Sequence, residues 1–150
     1  MFRGVTNLNL DAKGRLAMPA RYRDRLMNSC EGRLIVTVDR DGCLLVYPLP
    51  EWERIEQALM SRPNMDRQVR ALQRLLLGHA TDCELDSQGR ILLPPPLRDY
   101  AGLDKRAVLV GQGNKFELWD EDRWTTQRQA WLQAEDESGA LSGALESLSL

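Results

Sequence analysis

Histidine occurs once, at position 79, and the three cysteines, Cys30, Cys43 and Cys83, are widely spaced. A zinc site draws several Cys and His ligands from close spacings, so no metal is expected. An odd cysteine count without a C-x-x-C pair also argues against a disulfide framework. Three reduced thiols filling apolar space are expected instead. Long apolar runs are missing too. Stretches such as residues 44–47 and 75–77 fall far short of the roughly 20 residues a spanning helix needs. The N-terminal run Met-Phe-Arg-Gly-Val-Thr lacks the charged head and apolar stretch of a signal peptide. A cytoplasmic chain with no membrane partner is expected.

The patterns of catalysis are also missing. No H-E-x-x-H, G-x-G-x-x-G or G-x-x-x-x-G-K-[ST] occurs. His79 has no second histidine with which to build a metal site or a triad. Asp11 and Asp86 are equivalently placed carboxylates, but each has an arginine four residues on. Such a neighbour holds a carboxylate ionised rather than poised for proton transfer. No enzyme, no cofactor and no small-molecule substrate are expected.

What is present is arginine, 17 residues against three lysines, distributed unevenly. Residues 1–27 carry a net charge of +4 and residues 120–150 a net charge of −5, although the whole chain is at −2. A local positive patch steers phosphates whatever the total charge. The planar guanidinium fork suits both phosphates and guanine edges.

The chain also repeats itself. Residues 10–24, Leu-Asp-Ala-Lys-Gly-Arg-Leu-Ala-Met-Pro-Ala-Arg-Tyr-Arg-Asp, align with residues 85–99, Leu-Asp-Ser-Gln-Gly-Arg-Ile-Leu-Leu-Pro-Pro-Pro-Leu-Arg-Asp, with seven identities in fifteen positions. At a slightly shorter offset, Leu-Leu-Val-Tyr at 44–47 answers to Phe-Glu-Leu-Trp at 116–119. Trp52 and Trp124 each follow five residues later. Two halves are expected, residues 1–77 and 78–135, followed by a tail at 136–150.

Each half reads alike. A short strand leads into Asp-x-x-Gly-Arg, where Asp bonds its own backbone and Gly supplies a positive φ. Asp11, Gly14, Asp86 and Gly89 are therefore assigned to turn architecture. A strand follows, ended by Pro19 or Pro94, and then a helical turn over 22–26 or 97–100. Hairpins are expected from 34–38 with 44–47, around Asp41-Gly42, and from 107–110 with 116–119, around 111–114. Helices follow at Trp52, Ile55 and Leu59, and at Trp124 and Trp131. A further helix between Pro63 and Gly78 has an apolar face of Val69, Leu72 and Leu76, a stop at Gly78, and a basic stripe of Arg67, Arg70 and Arg74. The Ser-, Gly- and Leu-rich tail, with Leu141, Leu145 and Leu148 at helical spacing, reads as mobile or ordered only by another subunit. Two equivalent arginine turns, one also bearing Lys13, are what a pseudo-symmetric DNA clamp would offer, with Arg3 and Arg21 extending the patch.

The N-terminal run through Arg23, the second copy Leu-Asp-Ser-Gln-Gly-Arg-Ile-Leu-Leu-Pro, Gly78-His79-Ala80 and Lys115-Phe116-Glu117-Leu118-Trp119 together resemble the MraZ family, over nearly the whole chain to about residue 131. The resemblance implies a mainly β fold with flanking helices. In it, two tandem swapped-hairpin (SpoVT-AbrB) halves form one pseudo-two-fold β-barrel. It implies a homo-oligomeric ring that binds double-stranded DNA at repeated promoter sites of the cell division and cell-wall operon, usually repressing it, at the nucleoid. The family's D-x-x-x-R motif falls on Asp11 with Arg15 and on Asp86 with Arg90. DNA contact is accordingly expected from Arg3, Lys13, Arg15, Arg21 and Arg90. The second copy departs in Gln88, where the first has Lys13, and in Pro94–Pro96, so the first half is expected to dominate. A protein-interaction module and an antitoxin-like regulator are the rival readings.

Overall fold

A computed structural model describes residues 1–149, with the backbone alone for 135–138, 140 and 141. Residues 1–120 form one compact unit and the helices from Glu121 onward a second.

The first unit holds eight strands: β1 (Phe2–Asn9), β2 (Arg15–Ala17), β3 (Arg33–Val38), β4 (Leu44–Pro48), β5 (Thr81–Glu84), β6 (Arg90–Leu92), β7 (Arg106–Gly113) and β8 (Phe116–Asp120). Six of them form an antiparallel sheet in the order β1-β7-β8-β4-β3-β5, and β2 pairs with β6 in a separate ribbon. The fold is thus mainly β with flanking helices. Among the described residues the strand pairing stays open, because β1 and β5 are the two sheet edges, so pairing alone does not close the expected barrel.

The sequence repeat reappears as a symmetry of the pairing. The first strand of each half pairs with the third strand of the other: β1 with β7 and β5 with β3. In the ribbon Leu16 faces Ile91, with Arg15 opposite Leu92 and Ala17 opposite Arg90. At the centre of the sheet Leu45 faces Glu117, flanked by the pairs Leu44 with Leu118 and Val46 with Phe116. Exchanging equivalent residues maps both sets onto themselves. The two repeats are therefore interlaced.

Alternation along the strands explains the core. Leu34, Val36, Val38, Leu44, Val46, Leu109, Phe116 and Leu118 face a cluster completed by Leu16 and Ile91 of the ribbon. Tyr22 and Leu26 of α1 (Ala20–Cys30) and Leu97 of α4 (Pro95–Ala101) join it. Their neighbours Ile35, Leu45 and Tyr47 point the other way, onto Trp52 of α2 (Leu49–Met60). Covered on both faces, β3 and β4 read as continuous apolar runs. The cysteines are buried free thiols. Burial and the Asp82 charge raise the Cys83 thiol to about 11.

The structure adds detail to four expectations. The helix after Pro63 is α3 (Arg67–Leu72) running into a π-helical turn, Gln73–Leu77. The wider turn rotates Leu75, Leu76 and Leu77 onto the two clusters, while Leu72 stays 40% exposed. Gly78 is right-handed (φ −64°), not a left-handed stop. The strand β7 runs on through Gly113, because β1 pairs with it along its whole length. Gly111 allows that approach: a Cβ there would sit 2.5 Å from the Arg3 nitrogen. Finally, the tail segment is helical. The helix α5 spans Glu121–Ser138 and α6 spans Ala140–Ser147. Within them Trp124 packs edge-on against Trp131, with ring centres 6.1 Å apart. Leu145 and Leu148 are exposed, and the side chain of Leu141 lies outside the described residues.

Two side chains bond the π turn. The buried Thr37 hydroxyl donates to the Leu76 carbonyl at 2.7 Å, and His79 Nδ1 lies 2.8 Å from the Leu75 carbonyl. Both bonds reach main-chain oxygens of the π turn from the side. Thr37→Val should remove this buried bond and cost about 0.5–1.5 kcal/mol, while Thr37→Ser should be closer to the parent. Thermal melting of both variants checks this, and equal melting temperatures for parent and valine variant would mean that the bond adds nothing to stability.

Candidate nucleic-acid interface

Each Asp-x-x-Gly-Arg segment forms the same small machine. Asp11 Oδ1 accepts from the backbone N–H of Lys13 (3.0 Å) and of Arg15 (2.8 Å), and Oδ2 accepts from Arg15 Nε at 2.6 Å. Asp86 repeats this with the backbone N–H of Gln88 and Arg90, both within 2.9 Å, and with Arg90 Nε at 2.9 Å. The Arg15 backbone N–H, foremost, holds the Asp11 carboxyl below its usual range, and the Arg90 N–H does the same for Asp86. Both stay ionised at neutral pH. The two carboxylate side chains are each 37% exposed, so these are surface turns. Ion pairs at such exposure contribute little stability. Their consequence is placement of the arginine.

Gly14 (φ +84°) and Gly89 (φ +74°) complete the turns, and the opposite half packs onto each. Arg98 donates from Nε to the Leu93 carbonyl (2.9 Å) and lies over Gly14, where a Cβ would stand 2.6 Å from that nitrogen. Arg23 donates from Nε to the Met18 carbonyl (2.6 Å) and covers Gly89 at 2.5 Å in the same way. Backbone bonds Leu93 N–H to Gly14 O and Met18 N–H to Gly89 O lock the crossing. Arg23 and Arg98 are identities of the repeat, but their role depends on the other half and cannot be seen in either alone.

The ribbon therefore has two faces. Leu16 and Ile91 point into the core, and Arg15, Ala17, Arg90 and Leu92 point outward. Arg15 and Arg90 are diagonal neighbours across the pair, a spacing of about 7–8 Å between backbones. Lys13 and Gln88 sit exposed in the flanking turns. Among the described residues only Asp11 engages the Arg15 side chain, through Nε, which leaves its two terminal nitrogens without a hydrogen-bond partner. Leu92, 56% exposed, and Ala17 complete this face. Strand alternation around Leu16 and Ile91 could have marked them.

Arg3 and Arg21 are not part of this face. They line a separate cleft of about 510 Å³ with Met1, Tyr22 and Arg25. Arg21 bonds Thr6 Oγ1 and stacks on Tyr22, and Arg25 donates to the Met1 carbonyl and stacks on Phe2. Arg25 was missed in the sequence, although it stands one helical turn after Arg21. The stripe Arg67, Arg70 and Arg74 is exposed on α3 and its π turn.

Among the described residues one cluster of metal-type donors is found: Asp39, Cys43 and Glu117, with donor atoms within 4.8 Å of one another. Burial and the nearby carboxylates push the Cys43 thiol far up, so it stays protonated and donates weakly to Asp39. Glu117 accepts from Trp119 Nε1. These contacts give the cluster a structural role. No helix among the described residues is long and apolar enough to cross a membrane.

The model of the family described as "MraZ protein, putative antitoxin-like" matches twice, over residues 1–75 and 76–142. A protein of Thioalkalivibrio sulfidiphilus named transcriptional regulator MraZ is 80% identical over the full length of both chains. One of the same name from Halorhodospira halophila is 58% identical, again over all of both chains. Another, from Methylococcus capsulatus, is 59% identical over 89% of this chain and 88% of its own. With a match in each repeat and such identity end to end, the chain belongs to the MraZ family.

Proposed function

We infer that this protein is a sequence-specific, double-stranded-DNA-binding transcriptional regulator that acts as a repressor. The observation that carries this is the outer face of the β2–β6 ribbon, where Arg15 and Arg90 are each held through Nε by an aspartate of their own turn. A two-stranded ribbon fits the major groove of B-DNA, and an arginine fork reads guanine O6 and N7. Lys13 and the exposed backbone of the turns supply phosphate contacts, which fix register while the base contacts specify. The names of the relatives point the same way. The reading takes residues 1–77 and 78–135 as the two swapped-hairpin halves of one pseudo-two-fold barrel, in which sheet and ribbon enclose the main core.

One ribbon neutralises few phosphates and should bind weakly. Several copies in a homo-oligomeric ring, engaging short repeats upstream of the operon for cell division and cell-wall synthesis, would raise the effective concentration of each ribbon. The protein then works in the cytoplasm, at the nucleoid, without cofactor or small-molecule substrate. Purified protein should bind the promoter upstream of its own gene more tightly than a shuffled duplex. Affinity should fall steeply as salt rises from 50 to 200 mM, as counterion release requires. Fluorescence anisotropy against both duplexes measures this. Equal affinity for the two, or none for either, would favour the protein-interaction reading.

A further inference from the structure

The cleft beside β1 has a composition that duplex recognition at the ribbon does not use. Arg3, Arg21 and Arg25 line it with Met1 and Tyr22, so that positive groups surround an apolar floor. Tyr22 is buried and Met1 is 74% exposed. Stacking on Tyr22 and Phe2, with bonds to Thr6 and to the Met1 carbonyl, holds Arg21 and Arg25 in place. Among the described residues none of the three arginines has a carboxylate partner.

The same chain carries the complementary object. From Glu121 onward the sequence has six acidic residues against two arginines. This second unit, α5 with α6, also leaves large apolar side chains uncovered: Leu132 is 58% exposed, Leu145 42% and Leu148 67%. Acidic helices with exposed leucines fit a basic cleft with an apolar floor.

We propose that the Arg3–Arg21–Arg25 cleft receives the acidic C-terminal helical unit of a second copy of this protein. The two surfaces differ, so the contact is head-to-tail, and a head-to-tail contact closes into a ring when its rotation permits. The proposal rests on the homo-oligomer of the preceding reading and names the surfaces that build it. It assigns Arg21 and Arg25 to assembly and leaves DNA contact to the ribbon.

A charge exchange tests it. Arg21→Glu with Arg25→Glu makes a cleft-reversed chain, and Glu135→Lys, Glu137→Lys and Glu146→Lys together make a tail-reversed chain. Each alone should fall, by light scattering, from the parent assembly to the 17.1 kDa monomer. Mixing the two should restore an assembly, because every contact between unlike chains is again complementary. Circular dichroism shows whether each variant is folded. If the cleft variant unfolds, Leu145→Asp with Leu148→Asp, on exposed positions, should by itself reduce the parent mass to monomer. A parent that is itself monomeric would overturn the ring. Variants that keep the mass of an oligomeric parent, or that fail to recover on mixing, would overturn the assignment of the cleft. Unchanged mass with lost promoter binding would hand the cleft to duplex DNA.

Discussion

Arg15→Ala is expected to leave fold and assembly intact and to abolish detectable binding to the promoter repeats. The side chain is about one-third exposed, and its partner Asp11 lies at the surface, so removing the pair has little leverage on folding. Its leverage on DNA is larger. A guanine-reading arginine contributes about 1–3 kcal/mol at one site. With two ribbons engaged at once the loss compounds, to roughly thirty-fold at the low end and beyond ten-thousand-fold at the high end. Arg90→Ala should do less, because its turn carries Gln88 where the first carries Lys13. Gel shift and size exclusion on the two variants give the answer. Full promoter affinity in Arg15→Ala would remove the ribbon as reading head, and a lost oligomer would assign Arg15 to assembly.

Gly14→Ala should be strongly destabilising. The backbone there has φ +84°, and a left-handed conformation costs an L residue roughly 1–2 kcal/mol. The new methyl would also stand 2.6 Å from Arg98 Nε and 2.7 Å from its Cζ, so Arg98 would have to give up the Leu93 carbonyl. With about 1 kcal/mol for that bond, the loss totals about 2–3 kcal/mol, or ~4–12 °C in melting temperature for a chain of this size. Gly89→Ala should match it, since Arg23 stands at 2.5 Å over that turn. Calorimetry on both variants tests the crossing itself. Parent-like melting in either would mean that the arginine swings away freely.

Legibility in the sequence followed distance along the chain. The strands, the hairpin at Asp41-Gly42 and the Asp-Gly turns were readable because their chemistry lies within a few residues. The duplication was readable because identity needs no structure. The pairings within each hairpin were readable too, but those between the halves were not, since β1 would find an apolar partner in several places and only the assembled sheet selects β7. Arg23 and Arg98 were visible as identities and opaque as clamps for the same reason. The π turn escaped because a regular helical period was assumed through Leu76, and Thr37, which bonds it, lies 39 residues away. At the candidate site, Asp11, Arg15, Asp86 and Arg90 came from the motif. Leu92 and the separation of Arg3 and Arg21 from the turns needed the register and the fold.

The interlacing of the halves also sets a schedule for synthesis. As the chain leaves the ribosome, residues 2–9 of β1 wait for residues 106–113, about a hundred residues later, before they have anything to pair with. At ~5–20 residues per second the wait is on the order of 5–20 seconds. Closing so long a loop is slow in free solution as well, as for any topology rich in distant contacts. Through that interval an eight-residue strand with half its side chains apolar or small stands open to the nascent chain of a neighbouring ribosome. That neighbour offers the same β7, so exchange of β1 between chains competes with correct closure. The yield of properly folded protein should therefore fall as translation becomes crowded, without any change in the stability of the finished molecule.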